Sequence, residues 1–132
     1  MKTTTEIRKY IEDWLVGLNI GPVYQDSRTV DDTTKTRNRR TYVVYYFENG
    51  IDDIDCWFVG QCTVWIGCRD KEPGKADLKT LKEATNKFVD KFEVNDDANG
   101  INLMDCQEVD YRYDNIGNHE CQYVFDVQAW KD

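Results

Sequence analysis

The sequence predicts an α+β fold, in which one mainly antiparallel sheet of four or five strands has two helices packed on one face. The first observation is an alternating pattern from Cys56 to Arg69, which is typical of a long strand with a single buried face. The second is a change of period from Ala76 to Phe92, where apolar residues recur every three or four positions opposite a row of lysines. A half-buried strand followed by a covering helix is typical of an α+β sandwich. The residues on the apolar side of the strand are Cys56, Phe58, Gly60, Cys62, Val64, Ile66 and Cys68.

The N-terminal part of the chain predicts a helix and then a short strand. Apolar residues between Ile7 and Leu18 form a helical stripe, and Thr3 and Glu6 are placed before it as a capping box. Residues Pro22 to Gln25 then indicate a short strand.

A long exposed loop is predicted from Asp26 to Arg40, because Val30 is the only apolar residue in that segment. Its cations form the one basic cluster of an acidic chain: Lys35, Arg37, Arg39 and Arg40. Two interpretations are open. The segment is either a solvated loop or an arm that becomes ordered when it docks on an acidic surface.

The remaining strands follow from composition and alternation. Thr41–Phe47 is dense in β-branched and aromatic residues, which predicts a central strand beside Cys56–Arg69. After the second helix, Ile101–Tyr113 predicts a less regular strand and Cys121–Trp130 a cleanly alternating one. The expected element order is therefore α-β-β-β-α-β-β, in a single domain over residues 1–132.

Charge and cysteine content restrict the function classes. A formal net charge of -8 and a pI near 4.6 oppose binding of nucleic acid over a broad surface, which needs clustered Lys and Arg. The five cysteines are an odd number and no apolar signal-peptide core follows Met1, so we expect free thiols in a reducing cytoplasm. No apolar run is long enough to cross a bilayer, so we expect no membrane partner.

The cysteine spacing is better explained by packing than by a metal site. Cys56, Cys62 and Cys68 are separated by five residues each time. That spacing puts successive thiols roughly 20 Å apart along an extended strand. A tetrahedral zinc ion cannot bridge that distance, so we expect buried packing thiols.

Two other segments resemble functional sites only in part. Asn95–Gly100 matches the start of a calcium loop, but Cys106 stands where a bidentate Glu is required, so a helix-to-strand turn is favoured. His119, the only histidine, has no nucleophile or orienting partner that any motif assigns, and we expect it in a solvent-facing turn.

The carboxylates of Asp52, Asp53 and Asp55 are close in sequence, which is a weak signal for acid/base chemistry or for a cation site. A solvated turn is the expected structure. We therefore predict no catalytic, cofactor-binding or metal-ligating residue, and no enzymatic activity.

The chain resembles the tail-terminator proteins of long-tailed phages, of the lambda U type. The resemblance rests on the helix that leads into Gly21–Tyr24, on the strand that begins Thr41–Tyr45, and on a single helix before two final strands. It covers nearly the whole chain in length and element order.

The resemblance implies a structural role. In this family a ring, usually of six subunits, caps the growing tail tube, stops its polymerisation and presents a surface to the head-completion or adaptor protein. The implied location is the tail or neck of the virion, after assembly in the bacterial host cytoplasm. An acidic lumen would let DNA pass without specific binding, because a basic wall would retain phosphates.

Two alternatives remain open. One is another head-tail connector or neck protein, since such components share size and α+β character. The other is a small ligand-binding or immunity-type module, in which Trp57, Trp65 and Tyr111 line a pocket beneath the second helix. Aromatic residues fit both alternatives, because Tyr and Trp are also enriched in subunit interfaces.

Overall fold

The computed structural model describes residues 2–26 and 41–132. Its helices are α1 (Thr4–Gly17) and α2 (Leu78–Val89). Its strands are β1 (Val23–Gln25), β2 (Thr41–Tyr46), β3 (Ile51–Ile54), β4 (Trp57–Arg69), β5 (Val94–Asp96), β6 (Ile101–Tyr113) and β7 (Asn118–Trp130).

All of these strands belong to one 7-stranded sheet with the order β1-β2-β4-β7-β6-β5, while β3 pairs with the first part of β4. Only the pairing of β1 with β2 is parallel, so the expected α+β class and mainly antiparallel sheet are confirmed. The longest pairing joins β4 to β7 from Trp57↔Trp130 to Arg69↔Asn118. These two strands therefore form the middle of the sheet.

The prediction of four or five strands was wrong, because β3 and β5 were not expected. The observed order of elements is α-β-β-β-β-α-β-β-β. The two missed strands are short and rich in Asp and Asn, which are depleted in strands. Each lies at an edge of the sheet and forms because its backbone pairs with a long neighbouring strand, which is β4 for β3 and β6 for β5.

Local side-chain contacts define where both helices begin. Thr3 is the N-cap of α1, and its hydroxyl accepts a hydrogen bond from the Glu6 backbone N–H at 3.2 Å. Asp77 caps α2 in the same way, since its carboxylate accepts from the backbone N–H and the hydroxyl of Thr80.

The front face of the sheet, defined as the side that carries Val43, Val64 and Phe125, forms the main core with both helices. Trp14 of α1 lies 5.7 Å from Phe88 of α2 and 6.0 Å from Phe125 of β7, measured between ring centroids. Both helices therefore pack on this face. Phe88 is fully buried and also contacts the rings of Phe92 and Tyr123.

The back face of the sheet is also buried over part of its area, so the prediction of a single buried face for Cys56–Arg69 was wrong. Thr63 and Trp65 are only 3% and 7% exposed. Within the described residues, Trp65 packs in a second cluster that consists of strand residues alone, with Tyr42 and Val44 at its centre. Gly67 makes this packing possible, because a methyl group at that position would overlap the Tyr42 ring.

Candidate protein-interaction surfaces

The basic residues predicted to form an interface lie outside the described residues. Lys35, Arg37, Arg39 and Arg40 belong to the segment 27–40, and most of the predicted 26–40 loop falls there. Their docking on an acidic surface stays a prediction.

A polar and aromatic cluster occupies one end of the back face, and we call its members Tyr42, Trp65, Arg112 and Glu120 the back-face cluster. The Tyr42 hydroxyl donates to Glu120 Oε2 at 2.8 Å, and Arg112 Nε lies 3.2 Å from Glu120 Oε1. The Glu120 side chain is only 4% exposed, so these two donors satisfy a buried carboxylate.

The same cluster presents an accessible cation above a buried ring. The Arg112 guanidinium lies 4.0 Å from the Trp65 ring centroid, which is cation–π geometry, while the Arg112 side chain stays 54% exposed. Trp65 Nε1 donates to the Tyr46 hydroxyl at 3.2 Å. Arg is enriched among the residues that dominate protein interfaces, and here the exposed Arg112 is held in a fixed orientation by Glu120 and Trp65.

An apolar patch occupies the opposite end of the back face. Ile54, Trp57 and Trp130 are aligned by the register of three neighbouring strands, and we call them the tryptophan patch. The two indole rings lie 3.6 Å apart between centroids. Ile54 is 51% and Trp130 45% exposed, so the patch offers apolar surface to a partner.

A cleft of about 490 Å³ lies on the back face. Its lining residues are placed by the strand register between the back-face cluster and the tryptophan patch. Its lining includes Asp52, Val59, Met104, Asp126 and Gln128. Burial raises the pKa of Asp126 above its ordinary value, and the charge of neighbouring Asp105 raises it further. The cleft is therefore an acidic part of the back face.

The outer edge of β6 is open over most of its length. Among the described strands, β5 alone pairs with that edge, and it covers only Ile101–Leu103. The rest of β6 pairs with β7 on its other side, with register shifts between Met104 and Gln107 and between Glu108 and Asp110. We call the segment Met104–Tyr113 the open edge.

The prediction that His119 is a solvent-facing turn residue was wrong. His119 lies in β7, its side chain is 13% exposed, and its Nδ1 is 2.6 Å from Asp70 Oδ1. The rings of Tyr111 and Tyr113 lie 5.6 and 5.0 Å from the imidazole. No local motif could identify Asp70, because 49 positions separate it from His119.

This histidine and carboxylate form a structural link. Asp70 Oδ2 also accepts a hydrogen bond from the Gly74 backbone N–H at 2.9 Å, and the Asp70 N–H donates to the Gly117 carbonyl. The pair therefore joins the segment after β4 to the start of β7.

Four of the five cysteines are buried or half-buried, but Cys56 is exposed. The expectation of a buried thiol was wrong for Cys56, because β4 begins one residue later and Cys56 lies in the turn before it. Burial raises the pKa of the Cys62 thiol, and burial with nearby Glu108 raises that of Cys121 to about 12. These two thiols are protonated at neutral pH and poorly nucleophilic.

The Asn95–Gly100 segment begins within β5 and leads into β6. The prediction of a helix-to-strand turn was therefore wrong, because a strand and not a helix precedes the turn. Asp96 belongs to β5, and its carboxylate accepts hydrogen bonds from the Tyr10 hydroxyl and the Asn99 amide, each at 2.8 Å. These bonds lower the pKa of Asp96, with Asn99 contributing most. In residues 2–26 and 41–132, no group of three or more His, Cys, Asp or Glu side chains could hold a metal ion.

The three aspartates after Gly50 are not all in a turn. Asp52 and Asp53 lie in β3, and the Asp53 carboxylate forms a salt bridge with Lys131. Only Asp55 lies in the turn before β4. Strand pairing with β4 explains the difference, since backbone bonds hold these residues extended despite their low strand propensity.

The aromatic pocket beneath α2 is not formed. Trp57 stacks with Trp130 and Trp65 with Arg112 on the back face, whereas α2 packs on the front face. Tyr111 contacts His119 instead. The alternation along β4 was enough to predict that Trp57 and Trp65 lie on the side of the strand away from the helix.

Comparison with known proteins identifies no family: no protein-family model matches the chain, and no curated protein matches it significantly. Among the described helices, neither is long and apolar enough to cross a membrane.

Proposed function

We propose that this protein is a non-catalytic structural subunit of a phage tail. It assembles with copies of itself into a ring, usually of six subunits in the family it resembles, at the head-proximal end of the tail tube. The ring ends polymerisation of the tube protein and offers a surface to the head-completion or adaptor protein. In this proposal the protein resides at the tail or neck of the virion.

The observation that carries the proposal is the back face of the sheet. Its described apolar cluster consists of strand residues alone, and the face presents Arg112, held over the buried Trp65, at one end and the tryptophan patch at the other. A face with exposed anchors of this kind at both ends is typical of a protein that contacts other proteins. The open edge of β6 supplies a further place for contact.

The negative net charge of the chain supports a ring through which DNA passes without being bound. With a net charge of -8, a ring would repel phosphates through much of its surface. DNA would then pass through the lumen without specific binding.

One observation favours a different class. The cleft beside Asp52 and Asp126 has the volume of a small-ligand site, which supports the ligand-binding alternative. A neck protein other than a terminator would share the surfaces described above.

Mass measurement in solution, alone and with purified tail tubes, tests the proposal. A terminator forms a ring or binds tube ends, and tubes polymerised in its presence have a uniform length. A ligand-binding module remains monomeric and leaves tube length unchanged, which would overturn the proposal.

Two sets of basic residues provide a test variant and a control variant that loses the same charge. The sequence predicts an exposed loop at Arg37, Arg39 and Arg40, and exposed charges contribute little to folding. Replacing these three residues by Gln should therefore prevent assembly while leaving the stability of the monomer almost unchanged. The control replaces the exposed Lys79, Lys82 and Lys91 by Gln, which removes the same charge. Normal assembly of the arginine variant would remove these residues from the mechanism.

A further inference from the structure

The tryptophan patch and the acidic cleft are adjacent parts of one surface, which we call the back-face groove. The tryptophan patch is its first row of side chains, and Gln61 with Asp126 forms its third row. The row between them is set by the pairing of Asp52 with Val59 and of Val59 with Gln128. Since the second and third rows line the cleft, the apolar patch leads directly into it.

The rows of the groove have the spacing of an extended chain. Side chains on one face of a strand recur at every second residue, about 7 Å apart. Trp130 and Asp126 are four residues apart in β7, so they are separated by roughly 13 Å along the strand. An extended segment lying along β7 would place one residue over the tryptophan patch and the residue four positions later over Asp126.

The groove carries negative charge that the described residues do not neutralise. In residues 2–26 and 41–132, no cation forms a salt bridge with Asp52 or Asp126. Burial raises the pKa of Asp126 above its ordinary value, and the charge of Asp105 raises it further. Arg112 is at the other end of the back face and is engaged by Glu120. A cation from a partner would therefore meet uncompensated carboxylates in the cleft.

The cleft also suits the aliphatic part of a long cationic side chain. Val59 and Met104 line it together with the carboxylates of Asp52 and Asp126. Arg and Lys bury their methylene groups on apolar surface while the charged end stays near polar groups. Arg fits better than Lys, since its guanidinium can form two parallel hydrogen bonds with one carboxylate.

A second copy of this chain is a poor occupant of the groove. Two copies joined face to face would bring the same carboxylates together, which is unfavourable. An aromatic side chain contributes at most about 250 Å² of contact area. Because Ile54 and Trp130 are only about half exposed, the patch supplies well under the roughly 800 Å² per partner that a stable dimer needs.

We propose that the back-face groove binds a basic segment of another protein, in which an apolar residue lies on the tryptophan patch and an arginine four positions later enters the cleft beside Asp126. The inference rests on the proposed function, because it names the chemistry of a partner that the back face contacts. The apolar residue gains burial on the indole rings. The arginine fixes the register of the segment and excludes acidic partners.

Amide NMR spectra of the full chain, recorded with a synthetic peptide, test the proposal. The probe is a blocked peptide with the sequence Gly-Leu-Ser-Ala-Ser-Arg-Gly, in which Leu and Arg have the required spacing. Added at millimolar concentration, it should shift the amide signals of the groove residues and leave those of α1 and α2 unchanged. Absence of shifts in the groove would overturn the proposal.

Two control peptides separate the proposed contact from general attraction. Replacing the arginine by citrulline keeps the shape of the side chain but removes its charge, and should weaken binding at least about fivefold. Placing the arginine directly after the leucine keeps the composition but changes the spacing, and should weaken binding about threefold. Equal affinity of either control would contradict the proposal. These comparisons use the unmodified protein and do not depend on the folding of a variant.

The acidic end of the groove is tested with matched variants. Asp52→Asn combined with Asp126→Asn should weaken binding of the arginine peptide at least about fivefold and leave the citrulline peptide unaffected. The control, Asp90→Asn combined with Asp97→Asn, removes the same charge from exposed positions outside the groove. Equal binding of the arginine peptide by the two variants would overturn the assignment of the cleft.

The apolar end is tested in the same way. Ile54→Ser should weaken binding of both the arginine and the citrulline peptide about threefold, because each uses the tryptophan patch. Ile116→Ser is the control, since Ile116 is 64% exposed and lies between β6 and β7, outside the patch. If the two variants bind alike, the tryptophan patch is not part of the site.

The ring function is judged by a different readout. If the peptides bind as expected but the unmodified protein neither self-assembles nor binds tubes, the function fails and the groove stands as a peptide-binding site. If the protein controls tube length normally but the arginine peptide does not bind, the inference fails and the function stands.

Discussion

The two faces of the sheet are built from different kinds of contact. On the front face, rings from α1, α2 and β7 pack together around Phe88, which is fully buried. On the back face, the back-face cluster combines two aromatic rings with a carboxylate and a half-exposed guanidinium. The front face is held by apolar burial and the back face by hydrogen bonds and charge.

This difference separates the residues that hold the fold from those available for contact. Apolar packing between layers is non-directional and large, so the front face supplies most of the stability. Directional bonds on the back face contribute less to folding, but they fix the orientation of the exposed Arg112 over the buried Trp65. A preoriented surface loses less conformational freedom when a partner binds.

The largest effect is expected on the front face. Phe88→Ala should lower the free energy of unfolding by about 3–5 kcal/mol, because it removes a fully buried ring that four other aromatic rings contact. Urea denaturation followed by tryptophan fluorescence measures this. Val89→Ala, at the exposed neighbouring position, is the control. A loss below about 1 kcal/mol for Phe88→Ala would place that side of α2 at the surface.

A smaller effect is expected from the back-face cluster. Tyr42→Phe removes the hydroxyl that donates to the buried Glu120, and it should lower stability by about 1–3 kcal/mol. Tyr111→Phe is a matched control, since Tyr111 is 47% exposed. Equal stability of the two variants would show that Glu120 draws no stabilisation from the hydroxyl, and would contradict the description of the back face as held by hydrogen bonds.

The smallest effect concerns the acidic cleft and depends on pH. The folded state raises the pKa of Asp126 above its ordinary 3.8, so protonation favours folding. This stabilising contribution is complete below 3.8 and disappears as the pH rises through the higher folded pKa. Relative to Asp126→Asn, the unmodified protein should therefore lose stability between acidic and neutral pH.

At neutral pH we expect Asp126→Asn to be within about 0.5 kcal/mol of the unmodified protein, or slightly more stable. Thermal unfolding of both proteins across the acidic range gives the comparison. An advantage of the unmodified protein that grows with rising pH would contradict the direction of the pKa shift.

The parts of the fold that could be predicted from sequence are those set by local periodicity. Alternation from Phe58 to Cys68 and the three-to-four repeat through Phe88 each reflect one side of an element facing a core. The N-cap at Thr3 was predicted for the same reason, because capping depends on residues a few positions apart.

The parts that were missed depend on contacts between distant residues. β5 (Val94–Asp96) forms because its backbone pairs with β6. The residues of β5 themselves do not favour a strand. The burial of Trp65 depends on β2, and the position of His119 depends on Asp70. The open edge depends on how far β5 extends along β6, which local propensity does not determine.

The lengths of the strand pairings also set the order in which backbone amides should exchange with deuterium. β4 and β7 share a pairing that runs from Trp57 to Arg69, so their amides open only when most of the sheet opens. β1 and β5 each pair through three residues at an edge and should exchange first. Along Met104–Tyr113, the amides that point away from β7 should exchange fast in the isolated subunit, and slowing confined to these amides in an assembly would locate a contact at the open edge without any substitution.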